Sequence, residues 1–221
     1  PKLIKIDRRL DSRIDTEFAS LIDPYRVKVD SLRAYRIGDT PFDFERESYE
    51  LLNLFSDFVR MRGAEISGKP VDMSIMNKGG IRNSLSAGPI TKGEIIDIAP
   101  FENRIVVLDI AGADLLDNIK IMVGQEGQGI SSNARVVYDP ETHEINSITI
   151  DGAPLDPARR YRIATIDYLA AGNDYMSPLK KAILMASSKE ILYEALIEYI
   201  EKGKLQEILN NPDKDSRMTT R

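Results

Sequence analysis

Apolar residues recur along this chain at two spacings, and the switches between them delimit its elements. Phe18, Leu21, Ile22, Tyr25, Val29 and Leu32 stand three or four residues apart, the stripe of a helix. Pro24, after Asp23, fits the first turn of a helix running to about Tyr35, where a proline loses no needed N–H. The run Ile37-Gly38-Asp39-Thr40-Pro41 breaks that pattern. A second amphipathic helix is predicted over residues 47–61, with Leu51, Leu52, Phe55, Phe58 and Val59 on one side and Gly63 as its stop. Val71, Met73 and Ile75 then alternate, as in a half-buried strand, and lead into the glycine-bearing loop Asn77-Lys78-Gly79-Gly80-Ile81-Arg82.

Beyond that loop the pattern predicts a short helix over 91–98 that ends before Pro100, a strand over 104–110 and a helix over 113–123. The glycine-rich run 124–129 reads as a mobile loop, and 134–139 with 144–150 as a hairpin followed by a tight Asp151-Gly152 turn. A strand over 161–168 enters Ala170-Ala171-Gly172-Asn173-Asp174. A final helix is predicted from the capping box Ser187-Ser188-Lys189-Glu190 to about Lys202, closed by Gly203, and the polar tail from 210 reads as frayed. Strands and helices mix, with short hairpins among them. The expected class is α+β, a mixed sheet layered with helices, rather than a doubly wound fold. Residues 1–40 read as a helical arm and 41–221 as the domain it serves.

Composition narrows the chemistry. The chain has 221 residues, enough to bury one sizeable core, and its net charge of −5 gives no general attraction to nucleic acid or an anionic membrane. No apolar run approaches the ~18 residues of a membrane span. A chain that opens on Pro1 instead of Met reads as processed or trimmed. With no cysteine there are no disulfides, and the single histidine, His143, follows Pro140-Glu141-Thr142 as a solvated turn residue. One histidine falls short of a catalytic zinc or di-metal set, and Ser-His-Asp or Cys-His nucleophilic sites are excluded on the same count. No catalytic and no metal-ligating residue is therefore assigned. The 77–82 loop offers a different chemistry. Paired glycines permit positive φ or close approach to a ligand, while an asparagine amide and an arginine fork can hold a polar ring and an anion. A tight turn with a surface arginine is the competing reading.

Two further loops stand in order with this one: Pro100-Phe101-Glu102-Asn103, and Asp167-Tyr168 through Gly172-Asn173-Asp174. Together they resemble the C-terminal, substrate-binding domain of the 5′-nucleotidase family, which includes the periplasmic UDP-sugar hydrolases. That family shows N-x-G-G-I-R, then P-F-x-N, then an aromatic leading into A-x-G-G-D-G, and the resemblance extends from about Pro24 to Arg217. It implies that Phe101 and Tyr168 sandwich a nucleotide base and that Asn77 bonds the base or nearby sugar. It further implies that Asp174 accepts from ribose hydroxyls, that Arg82 holds the phosphate side, and that Asn103 lies beside the first aromatic. Arg46 is matched to a second phosphate-binding arginine. The implied ligand is a nucleotide or nucleoside. The implied partner is a metallophosphoesterase domain, or a separate chain, that carries the divalent metals; no cofactor is expected in this chain. The implied location is periplasmic or extracellular.

The chain departs from the family pattern at several positions. Asn173 replaces a glycine, which a left-handed turn tolerates. Tyr175 replaces the next glycine and would be strained at positive φ, and Met176 stands where an aromatic is usual. Glu102 would disfavour polyphosphates if it pointed inward. Nothing matches the family's metal motifs. The chain is then read as the recognition domain of a split or trimmed nucleotidase, with two alternatives: a stand-alone nucleoside or nucleotide binder, and a degenerate structural domain whose pocket Tyr175 and Met176 close.

Overall fold

The computed structural model describes residues 16–125 and 128–220. In chain order the elements are α1 (Thr16–Arg33), β1 (Arg36–Thr40), α2 (Tyr49–Ser67), β2 (Met73–Met76), β3 (Gly88–Thr91), α3 (Lys92–Ile98), β4 (Arg104–Ala111), α4 (Gly112–Gly124) and β5 (Gly129–Ile130). They continue with β6 (Ala134–Tyr138), β7 (Ile145–Ile150), β8 (Ala153–Pro154), β9 (Arg160–Ile166), α5 (Asp167–Ala170), β10 (Ile183–Ile191), α6 (Leu192–Glu201), α7 (Gln206–Asn210) and β11 (Met218–Thr220). The central sheet has the order β10-β4-β9-β2-β5, and only β2 and β9 run parallel in it. A second sheet, β11-β6-β7-β8, carries the predicted hairpin, and β1 pairs with β3. This is the expected α+β layering.

Helix α2 is the main cover of the central sheet. Leu51, Leu52, Phe55, Phe58 and Val59 are all buried, as their spacing predicts, and α2 touches all five central strands. Gly63 does not stop it. The helix runs on to Gly68, which takes the left-handed conformation at φ 61. Gly63 sits where α2 crosses β9, and a Cβ there would lie 2.6 Å from the Ala164 Cβ. Close approach, not termination, explains this glycine. Gly63→Ala should lose about 1–3 kcal/mol to overpacking, offset in part by the ~1 kcal/mol that alanine gains in a helix. Urea denaturation should therefore show no net gain and a loss of up to roughly 2 kcal/mol, and a raised midpoint would count against the contact.

Three other expectations are corrected. Helix α1 begins well before Pro24, which lies in its interior, so the helix follows its apolar stripe instead of the proline signal. The stripe itself is exposed at Leu21, Ile22, Tyr25, Val29 and Leu32; the side chain of Phe18 lies outside the described residues. The predicted capping box at Ser187-Ser188-Lys189-Glu190 lies inside β10. There Ser188 Oγ accepts from the Ile105 N–H at 3.1 Å and donates to the Glu190 carbonyl at 2.6 Å. Strand pairing with β4 overrides the local cap, and α6 starts at Leu192, where Glu194 accepts from the Ile191 N–H. Finally, the tail is not frayed over its described residues. It forms α7 and then β11, parallel to β6, with Arg217 and Met218 both 3% exposed. The run read as a mobile loop, 124–129, lies partly outside the described residues; Gly129 belongs to β5.

Candidate functional site

The sheet topology brings the three loops together. Because β2 and β9 run parallel, in register Met73 to Ile163, their C-terminal ends open at the same edge. Strand β4 runs against β9, with Ile105 opposite Ile166, so the start of β4 faces the end of β9. The 77–82 loop leaves β2 there, Phe101 to Asn103 enter β4 there, and Tyr168 to Asp174 follow β9 there. These segments enclose a cavity of about 320 Å³ lined by Asn77, Gly79, Gly80, Arg82, Phe101, Asn103, Tyr168 and Asp174. Small-molecule sites are concavities of roughly this size or larger. Six of the seven sequence-predicted site residues are in it. The seventh, Arg46, lines an adjoining cleft of about 190 Å³ with Ser48, Lys78 and Ile81, and its Nε donates to the Ile81 carbonyl at 3.3 Å.

A carboxylate organises the cavity. Asp174 Oδ2 accepts from Asn77 Nδ2 at 2.6 Å, and Oδ1 accepts from the Tyr168 hydroxyl at 3.0 Å. This bond, and then the carboxylate's charge, raises the Tyr168 pKa above its ordinary value. An ionised carboxylate only accepts, so the Asn77 amide has one orientation: nitrogen toward Asp174, oxygen away. Asn77 is 4% exposed, and that oxygen has no hydrogen-bond partner among the described residues. A buried polar atom left unmet costs free energy, which a ligand donor would recover. Each Asp174 oxygen retains a second lone pair for a hydroxyl.

The glycines act by absence of bulk. Lys78–Gly80 form a single 3-10 turn, and neither Gly79 nor Gly80 has positive φ. A Cβ at Gly80 would stand 3.0 Å from Asn77 Oδ1, and one at Gly79 would stand 3.6 Å from Nδ2. Either side chain would cover the amide. Ile81, 2% exposed, pins the turn into the core, and the Arg82 N–H bonds the Ile98 carbonyl at 2.8 Å. Arg82 projects over Phe101, its guanidinium carbon 6.0 Å from the ring centroid, a cation–π contact. Phe101 and Tyr168 are 45% and 41% exposed, so two aromatic faces are open to a ligand.

The departures in the third loop are resolved. Asn173 does not take the left-handed region; positive φ falls on Gly172, Asp174 and Tyr175, at 81°, 52° and 63°. Asn173 instead donates from Nδ2 to the Tyr168 carbonyl at 2.8 Å, closing the loop on itself. Tyr175 is 81% exposed and Met176 is fully buried, and neither lines the cavity, so they do not close it. Glu102 is exposed and also absent from the lining. His143 is an exposed turn residue, as expected. Among the described residues no three His, Cys, Asp or Glu side chains form a group that could hold a metal ion. The donor set of the described residues does not fit a divalent metal.

Sequence reasoning missed Gln125 and Gln128, whose side chains brace the site from behind. Gln128 Oε1 accepts from the Lys78 N–H at 2.8 Å, and Gln125 Nε2 donates to the Asp174 carbonyl at 2.9 Å. The only signal for them was a pair of amides in a run otherwise read as flexible.

Comparison with known proteins identifies the family of this chain. The family description "5′-nucleotidase, C-terminal domain" matches residues 27–181. Protein UshA of Escherichia coli K12 is 26% identical over 190 residues, covering 85% of this chain and 34% of UshA. An apyrase of Tabanus yao is 34% identical over 151 residues, covering 59% of this chain and 27% of the apyrase. The crystal structure of a 5′-nucleotidase precursor from Thermus thermophilus superposes with a TM-score of 0.76 at 23% identity, covering 93% of this chain and 43% of that one. The chain spans about a third of the length of the curated relatives it matches. Among the described residues no helix is long and apolar enough to cross a membrane. With the match taking in all three loops, the chain belongs to the 5′-nucleotidase C-terminal domain family.

Proposed function

We propose that this chain is the nucleotide-recognition domain of a 5′-nucleotidase-type phosphoesterase. The base stacks between Phe101 and Tyr168, and the Asn77 amide oxygen takes a donor from base or sugar. Asp174 accepts from ribose hydroxyls, Asn103 contributes beside Phe101, and Arg82 holds the phosphate side. Arg46, in the adjoining cleft, is placed for a phosphate that extends past the 77–82 turn. The observation that carries this reading is the unpartnered, buried Asn77 oxygen in a cavity flanked by two half-exposed aromatics. The relatives, a 5′-nucleotidase and apyrases among them, support the ligand class.

Hydrolysis is assigned to a metallophosphoesterase domain or separate chain that brings its own divalent metals, since the described residues of this chain form no group that could hold them. The same reading places the protein in the periplasm or outside the cell. Calorimetric titration with AMP, UMP, adenosine and UDP-glucose tests the recognition; binding of none would overturn it, and binding without any catalytic partner in the cell would make it a stand-alone receptor. The isolated chain should release no phosphate from AMP with any divalent metal, because no group among its described residues could hold the metal that supplies a bound hydroxide. Turnover by pure chain that is abolished by EDTA would refute that division of labour.

A further inference from the structure

Behind the cavity, two side-chain amides connect the loop that carries Asn77 to the turn that carries Asp174. The Lys78 N–H donates to Gln128 Oε1 at 2.8 Å; Gln128 Nε2 donates to Gln125 Oε1 at 3.1 Å; Gln125 Nε2 donates to the Asp174 carbonyl at 2.9 Å. Neither glutamine lines the cavity. We propose that Gln125 and Gln128 form a directed relay that holds the two binding loops in register, as positioning residues for the nucleoside half of the ligand. The proposal rests on the nucleotide-recognition reading above.

The direction of the relay is fixed at both ends. A backbone N–H only donates and a backbone carbonyl only accepts, so Lys78 and Asp174 leave each glutamine amide one satisfying orientation. Flipping either amide would set oxygen against oxygen or nitrogen against nitrogen. The two glutamines therefore act as a unit. Their far end meets the least comfortable backbone of the site: Asp174 and Tyr175 both have positive φ. Such conformations cost about 1–3 kcal/mol each and persist only where the surroundings over-determine them. Gln125 supplies one such constraint on the residue whose carboxylate orients both Asn77 and Tyr168. The near end is equally well founded. Gln128 precedes β5, which pairs with β2, the strand that leads into Asn77, and the Gln128 N–H reaches Met218 Sδ at 3.3 Å. An ordinary bracing role predicts a different result, a loss of stability with the site's affinity intact below the melting range.

The test uses the full chain and the variants Gln125→Ala, Gln128→Ala, their double, and Gln125→Glu. Adenosine and AMP affinities at 25 °C, thermal midpoints and hydrogen exchange at the Lys78 amide are measured for each. A lost neutral hydrogen bond of ordinary strength corresponds to about three- to tenfold. Gln125→Ala should weaken adenosine and AMP by equal factors in that range, since the phosphate side is untouched. Gln125→Glu should not rescue, because a carboxylate cannot donate to the Asp174 carbonyl. The double variant should bind about as well as the weaker single, as coupled partners do. Gln125→Ala should also speed exchange at Lys78, which it does not touch. Affinities within twofold of the unaltered chain, or multiplicative losses, overturn the relay. Failure of the unaltered chain to bind either ligand would instead overturn the nucleotide reading, and unchanged Lys78 exchange in Gln125→Ala would then dispose of the relay as well.

Discussion

Replacing Arg217 with alanine should cost about 3–5 kcal/mol of folding stability, the penalty for stripping one partner from a buried ion pair. Arg217 is 3% exposed, and its guanidinium meets both oxygens of Asp57, at 3.1 and 2.7 Å. It also donates to Asp213 at 3.0 Å and to the Ile130 carbonyl at 2.9 Å. One planar fork thus joins α2, β5 and the C-terminal segment. Truncation leaves Asp57, whose side chain is 13% exposed, without its main counter-charge and removes the side-chain anchor next to β11. Arg217→Lys should recover little, because a single ammonium cannot reproduce a bidentate pair plus two more bonds. Urea denaturation is the measurement, with the midpoint falling sharply for both variants. A loss below about 1 kcal/mol would assign Arg217 the modest weight of a surface pair.

That residue also marks a limit of what the sequence disclosed. Periodicity found most elements because their apolar faces are buried: Leu51 to Val59 on α2, Leu115 to Val123 on α4, and the apolar runs of β4 and β9. It failed where a long-range partner decides the local outcome. The tail reads as polar and loose, yet Arg217 is drawn into the core by Asp57, 160 residues earlier. Ser187 to Glu190 read as a cap, yet β4 claims them for an edge strand. Gly63 reads as a stop, yet it is a contact point with Ala164. The site was more legible than these. Its residues sit in short motifs, and the strand topology needed only to bring three loop ends to one edge. Motifs could name Asn77 and Asp174 but could not show that the carboxylate fixes the amide's orientation. Nor could they place Gln125 and Gln128, since nothing in a glycine-rich run announces which carbonyl a glutamine will meet.

The other large effect is expected in the cavity itself. Phe101→Ala should weaken nucleosides and nucleotides alike by about 1–3 kcal/mol, the usual worth of one aromatic stacking partner for a base. The loss should be similar for adenosine and UMP, because stacking reads the face of a base and every base has one. Arg82→Ala should behave differently. Part of its effect passes through Phe101, since the guanidinium lies over that ring, and an exposed cation–π contact contributes about 0.5–1 kcal/mol. That share falls equally on adenosine and AMP. The remainder, about 1.5–3 kcal/mol for a hydrogen bond to a charged group, should appear only with the phosphate present. The informative quantity is therefore the AMP loss minus the adenosine loss in one calorimetric series. A bracing role for Arg82, through its 3.4 Å contact with the Gly79 carbonyl, predicts a difference of zero. Zero difference with the 77–82 loop intact would make Arg82 a scaffold residue and leave the phosphate to Arg46 on the far side of the turn. Arg46→Ala would then have to carry the AMP-specific loss, and if it did not, the cavity would be a nucleoside site.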